Sequence, residues 1–80
     1  MEILVLGPGC RNCVTLGRLA QEAVADLGIE AHIGKVTDYA AIASYGILST
    51  PGLVIDGEVV MSGRVPSGAE VRELIGARGA

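Results

Sequence analysis

The chain reads as an α/β domain, a four-stranded mixed sheet flanked by three helices in the order βαβαββα. Three observations predict it. Residues 2–6, EILVL, form a short continuous apolar run of β-formers, the pattern of a strand covered on both faces. From residue 10 to residue 27 the apolar positions recur every three or four residues, the period of an amphipathic helix. Residues 53–61, LVI-DG-EVVM, place two β-rich runs on either side of Asp56-Gly57, the strongest short-range signal for a hairpin.

Composition fits the same class. Of 80 residues half are hydrophobic, yet the aromatics are Tyr39 and Tyr45 alone, so the core must be built from aliphatic layers, as in a sheet covered by helices. A chain of this length buries roughly 60% of its unfolded surface around one core, so one domain over residues 1–80 is expected.

Taken in order, the first strand ends at Gly7-Pro8-Gly9. In the helix that follows, Cys13, Leu16, Gly17, Ala20, Val24 and Leu27 share one arc, Arg11, Thr15, Arg18, Glu22 and Asp26 lie opposite, and Gly28 suits the C′ position. Residues 29–36, IEAHIGKV, alternate loosely as a second strand. A short helix should start at Thr37 as N-cap, with Asp38 in its first turn and Gly46 as its stop. The hairpin supplies strands three and four, antiparallel to each other. Ser67 and Glu70, at capping-box spacing, open a last helix that carries Val71, Leu74 and Ile75 on one face to about Arg78, weakened by Gly76.

Six Lys or Arg against nine Asp or Glu give a formal charge of −3, no field for concentrating around phosphates, so nucleic acid is not an expected partner. The start, MEILVLG, has no cationic leader region, and no apolar stretch approaches the roughly 18 residues of a membrane span. A soluble, cytoplasmic protein with no membrane contact is the expectation.

The chemistry lies in LGPGCRNCVTLG, residues 6–17, which holds both cysteines. Two cysteines are too few for the disulfide framework of a small secreted domain. A bridge closing so short a loop would contribute about 2 kcal/mol by the chain-entropy expression, less than a long-range staple would. Three positions on a helix set the two side chains about 60° apart in projection and one turn apart along the axis, within reach of each other. Cys10 falls at the helix tip and is expected to be the accessible sulfur; Cys13 falls in the middle of the apolar arc.

Unpaired backbone N–H groups and the positive end of the helix dipole favour an anion at that tip. Thiols so placed have pKa values lowered from about 8.5 to between about 3.5 and 7.5. Arg11 adds a charge of the right sign nearby. The expected reaction follows: the Cys10 thiolate attacks a partner's disulfide, and Cys13 then attacks Cys10 to release the reduced partner.

C-R-N-C after the first strand, with Y-G-I-L-S-T-P at residues 45–51 followed by a hairpin and a helix, resembles the thioredoxin and glutaredoxin superfamily. The resemblance runs over essentially the whole chain and is strongest toward the small thioredoxin-like redox-active disulfide proteins of prokaryotes. It implies a thioredoxin-like fold, dithiol–disulfide exchange through Cys10 and Cys13, and a cis proline at Pro51. Thr50 and Pro51 would then shape a groove for an extended substrate segment, with Gly9 and Arg11 flanking the nucleophile. It also implies disulfide-containing protein substrates and a thioredoxin-reductase-like or glutathione-linked source of electrons, and requires no bound cofactor.

The departures from the family pattern are specific. Gly9 stands where thioredoxins usually carry Trp, and Arg11-Asn12 replaces Gly-Pro between the cysteines. The first strand has no acid near its middle to deprotonate Cys13. After the hairpin, M-S-G-R-V-P-S at residues 61–67 offers Gly63 but not the acidic pair with which glutaredoxins hold glutathione.

The rival readings are a Cu(I) chaperone-like metal-binding module and a non-catalytic redox sensor. Two thiolates suit Cu(I), but copper chaperones run βαββαβ and usually carry Met-x-Cys, where this chain has Pro8. A tetrahedral zinc site needs four ligands, and His32 is the one histidine. His32 therefore reads as a surface or hydrogen-bonded residue, Tyr39 and Tyr45 as packing groups, Met61 as a strand residue and Arg64 as an exposed charge, with contact to a carboxylate as the alternative.

Overall fold

The computed structural model describes residues 1–9, 11–47 and 49–79; Cys10, Leu48 and Ala80 lie outside the described residues. The elements are β1 (Glu2–Leu6), α1 (Arg11–Leu27), β2 (His32–Val36), α2 (Tyr39–Ser44), β3 (Gly52–Ile55), β4 (Glu58–Ser62) and α3 (Gly68–Gly79). The sheet runs β2-β1-β3-β4, with β1 parallel to β2 and antiparallel to β3, and β3 antiparallel to β4.

The apolar runs lie where they are covered on both faces. Central β1 alternates Ile3 and Val5 toward α1 and α3, Leu4 and Leu6 toward α2. Its partner β3 does the same, because the register sets Ile3 opposite Ile55, Val5 opposite Leu53 and Leu4 opposite Val54. The larger core layer joins these residues to Leu16, Ala20 and Ala23 of α1 and Val71 and Ile75 of α3; the smaller joins Leu6 and Val54 to Ile42 of α2.

The hairpin turn has Asp56 at φ 49° and Gly57 at φ 84°, the paired left-handed conformations of a type I′ turn, which Asp-Gly tolerates. Asp56 also ties the turn to the first strand: Glu2 N–H donates to Asp56 Oδ1 at 2.8 Å, and Asp56 N–H donates to Glu2 O at 2.8 Å. The last helix is capped as its spacing suggested, Glu70 N–H donating to Ser67 Oγ at 3.2 Å.

Five details differ from the sequence reading, each for a local reason. β2 begins at His32 rather than at residue 29, because β1 offers a partner only from Glu2 onward and Glu2 is in register with His32. The N-cap of α2 is Asp38, not Thr37: its side chain accepts from Ala41 N–H at 3.0 Å, the reach of an N-cap residue. The buried stripe of α1 turns through Ala23 near its end, leaving Val24 half-buried and Leu27 38% exposed. Tyr39 is not a packing group but 71% exposed, whereas Tyr45 does pack against the α2 core layer. In β4 the pairing slips between Leu53 and Val54, so Val60 is an extra residue and both Val60 and Met61 pack toward α1 and α3.

Candidate active site

The site forms where β1 ends. Gly7 N–H donates to Val36 O at 2.9 Å, carrying the β1–β2 pairing one residue beyond the strand and fixing the backbone from which the next loop leaves. Gly9 has φ +90°, a conformation suited to glycine, and turns the chain toward α1. Helix α1 then opens at Arg11 with no acidic residue in its first turn, so nothing on the helix itself neutralises the positive end of its dipole. Thr15 Oγ1 donates back to Arg11 O at 3.0 Å.

Cys13, 4% exposed, enters the larger core layer beside Val5 and Leu16. Its place depends on Gly7. A Cβ built on Gly7 would overlap Cys13 Sγ, stand 3.2 Å from Cys13 Cβ and lie 3.9 Å from Thr50 Cβ. The sulfur therefore occupies the space that any other residue's side chain would fill. That same backbone position faces Thr50, and so joins the cysteine helix to the 49–51 segment.

The Thr50–Pro51 peptide is cis. Pro51 is fully buried, and its carbonyl accepts from Gly63 N–H at 2.9 Å, so the turn after β4 backs the loop. Gly63, at φ +85°, also lets this turn approach Ser49, whose Cβ would lie 3.5 Å from an added Cβ. Beside the loop a groove of about 210 Å³ runs between α2 and the 49–51 segment, lined by Tyr39, Ile42, Ala43, Ile47, Ser49 and Thr50.

Among the residues singled out from sequence, the fold thus gathers Cys13, Thr50 and Pro51 at one end of the sheet, with Gly9 and Arg11 exposed on the connection into α1. Cys10, the expected nucleophile, lies outside the described residues. Arg64 is not a simple exposed charge: its guanidinium grips both oxygens of Glu70, raising the Arg64 pKa and lowering that of Glu70 chiefly through that hydrogen bond. His32 is exposed at the far end of β2.

The sequence reading missed Gly7, taken as a mere strand stop, and the exposed Tyr39. No local signal distinguishes a glycine that ends a strand from one that seats a sulfur six residues on. No described charged side chain is buried. No helix among the described residues is long and apolar enough to cross a membrane.

Residues 1–76 match the family described as Thioredoxin domain. A thioredoxin of Methanothermobacter thermautotrophicus is 40% identical over 75 residues, 94% of this chain and 97% of the relative. A thioredoxin of Methanocaldococcus jannaschii is 39% identical over 71 residues, 89% of this chain and 81% of the relative.

Proposed function

The chain belongs to the thioredoxin family, and we propose that within it Cys10 is the nucleophile and Cys13 the resolving thiol of a protein disulfide reductase. Membership makes it a thiol–disulfide oxidoreductase, with disulfide substrates and a reductase as partners. The observation that carries the finer assignment is the seat at Gly7, where the Cys13 sulfur and Thr50 meet across one backbone position.

Cys10 thiolate attacks one sulfur of the partner's disulfide; that S–S bond breaks, a Cys10–partner disulfide forms, and the partner's other sulfur leaves as thiolate. Cys13 gives its proton to that departing thiolate or to water. The Cys13 thiolate then attacks Cys10 Sγ, forming the Cys10–Cys13 disulfide and releasing the second partner thiolate, which takes a proton from solvent. The partner gains two electrons and two protons, and the pair is oxidised by the same amount.

The segment around Thr50 and Pro51, with Gly9 and Arg11 on the other side of the pair, would align the substrate strand for the first attack. A thioredoxin-reductase-like or glutathione-linked reductant would restore the dithiol, in a cytoplasmic setting that keeps thiols reduced.

The test is trapping. Incubated with insulin as disulfide substrate, Cys13→Ser is expected to accumulate a covalent complex that thiol reductants dissolve, while Cys10→Ser forms none. Turnover by Cys13→Ser at the wild-type rate through the same two-thiol route, or trapping by Cys10→Ser, would overturn the assignment.

A further inference from the structure

Charge is not spread evenly over this acidic chain. Of six cations, Arg64, Arg72 and Arg78 are tied to Glu70, Asp26 and Glu58, and Arg18 reaches Glu22 at only 3.9 Å with both side chains mostly exposed. Arg11 and Lys35 have no carboxylate partner among the described residues. All three loosely held or unpaired cations, Arg11, Arg18 and Lys35, belong to α1 and β2.

They also share one face. Arg11, Val14, Arg18 and Gln21 follow one another at i, i+3, i+7 and i+10, a single stripe along α1. Across from it stands β2, and between them lies a groove of about 200 Å³ with Val14, Arg18 and Gln21 on one wall, Ile33 and Lys35 on the other and Val5 beneath. Val14 is 56% exposed, an apolar side chain left in water amid positive charge. Gly17 leaves room for the aliphatic stem of Lys35, whose Cε would be 4.0 Å from an added Cβ.

The carboxylates with no ion pair among the described residues lie elsewhere. Glu2, Glu30 and Asp56 cluster at the opposite end of the sheet, Glu73 is on α3, and Asp38 caps α2 on the sheet's other side. Lys35 is in register with Val5, two residues before the seat of Cys13, so the basic face borders the cysteine helix near its reactive end.

We propose that this α1–β2 face docks an acidic protein partner, one that presents carboxylates around an apolar side chain next to its own disulfide. The inference rests on the exchange reading above and adds which partners that exchange favours. Val14 supplies the contact that excludes water, and Arg11, Arg18 and Lys35 draw in and orient the partner, as charge complementarity does at other interfaces. The face is separate from the groove beside Thr50, which lies on the other side of the sheet.

The test uses the full chain and two synthetic fluorogenic peptides, each with one disulfide and one leucine, identical except that Glu flanks the disulfide in one and Lys in the other. With dithiothreitol regenerating the dithiol, the Glu peptide is expected to show a kcat/KM about tenfold higher at low ionic strength, in the lower range of electrostatic steering. That advantage should shrink in about 0.5 M NaCl, where the Debye length falls to about 4 Å. The double variant R18E/K35E is expected to invert the preference while reducing the neutral disulfide of 2-hydroxyethanethiol as fast as wild type. Equal rates for the two peptides, or a preference that R18E/K35E leaves in place, would overturn the docking face while leaving the exchange reading intact. Failure to reduce either peptide or the neutral disulfide would overturn both.

Discussion

Replacing Gly7 with Ala tests how the site is built. The added Cβ would fall on Cys13 Sγ and 3.2 Å from Cys13 Cβ, so the sulfur must leave its seat or the helix must shift against β1. Overpacking of a core position typically costs about 1–3 kcal/mol. Gly7 carries no positive φ, so the alanine also restricts the unfolded chain and returns about 0.4–1 kcal/mol. A net loss of about 1–2 kcal/mol remains, which in a domain of this size lowers the melting temperature by roughly 5–15 °C. Far-UV circular dichroism of the reduced protein reads this directly. Gly52→Ala is the control: its Cβ would stand 2.9 Å from Ile47 Cδ1, the far end of a flexible side chain, and a smaller loss is expected. Because the clash is with sulfur, Cys13→Ala should recover most of the Gly7→Ala cost in a double-mutant cycle. Displacing the sulfur should also speed its alkylation by N-ethylmaleimide in the folded state and shift the reduction potential of the pair. A neutral Gly7→Ala, or a cost that stays the same when Cys13 is alanine, would refute the reasoning.

Two further predictions concern the frame around the site. Asp38→Ala removes the N-cap of α2 and should cost about 1 kcal/mol in urea titrations, whereas Thr37→Ala should stay within about 0.5 kcal/mol; equal effects would contradict the capping assignment. Arg64 holds the Glu70 carboxyl below its ordinary 4.5, chiefly by hydrogen bonding. A depressed folded-state pKa contributes stability above the unfolded value and loses it as pH falls through the folded one, so the Arg64–Glu70 contribution is present at neutrality and fades below about pH 4.5. Glu70→Gln should flatten that acid limb of stability against pH; an unchanged limb would remove the pair from the account.

Much of the frame was legible because its signals are local. Asp56-Gly57 specified its turn, since type I′ requires positive φ at both positions and those two residues accept it. The EILVL run implied two-sided cover, and β1 received it from α1 and α3 on one face and α2 on the other. What was not legible depends on partners distant in sequence. Where β2 starts is set by the register with Glu2, which residues 29–31 do not encode. The slip that adds Val60 to β4 carries no glycine or proline to announce it. Thr37 and Asp38 are both competent caps, and geometry chose the second. At the site, C-R-N-C and S-T-P could be recognised as motifs. Their joining through the missing side chain of Gly7 could not, because that contact exists only once β1, α1 and the 49–51 loop have been brought together.

The central claim is that the residue just before α1 is a thiolate near neutral pH. The direct measurement is the iodoacetamide reaction rate of Cys10 against pH, in Cys13→Ser so that a single thiol reports. The account predicts a half-maximal rate well below the ordinary thiol value of about 8.5. A midpoint at or above that value would contradict it.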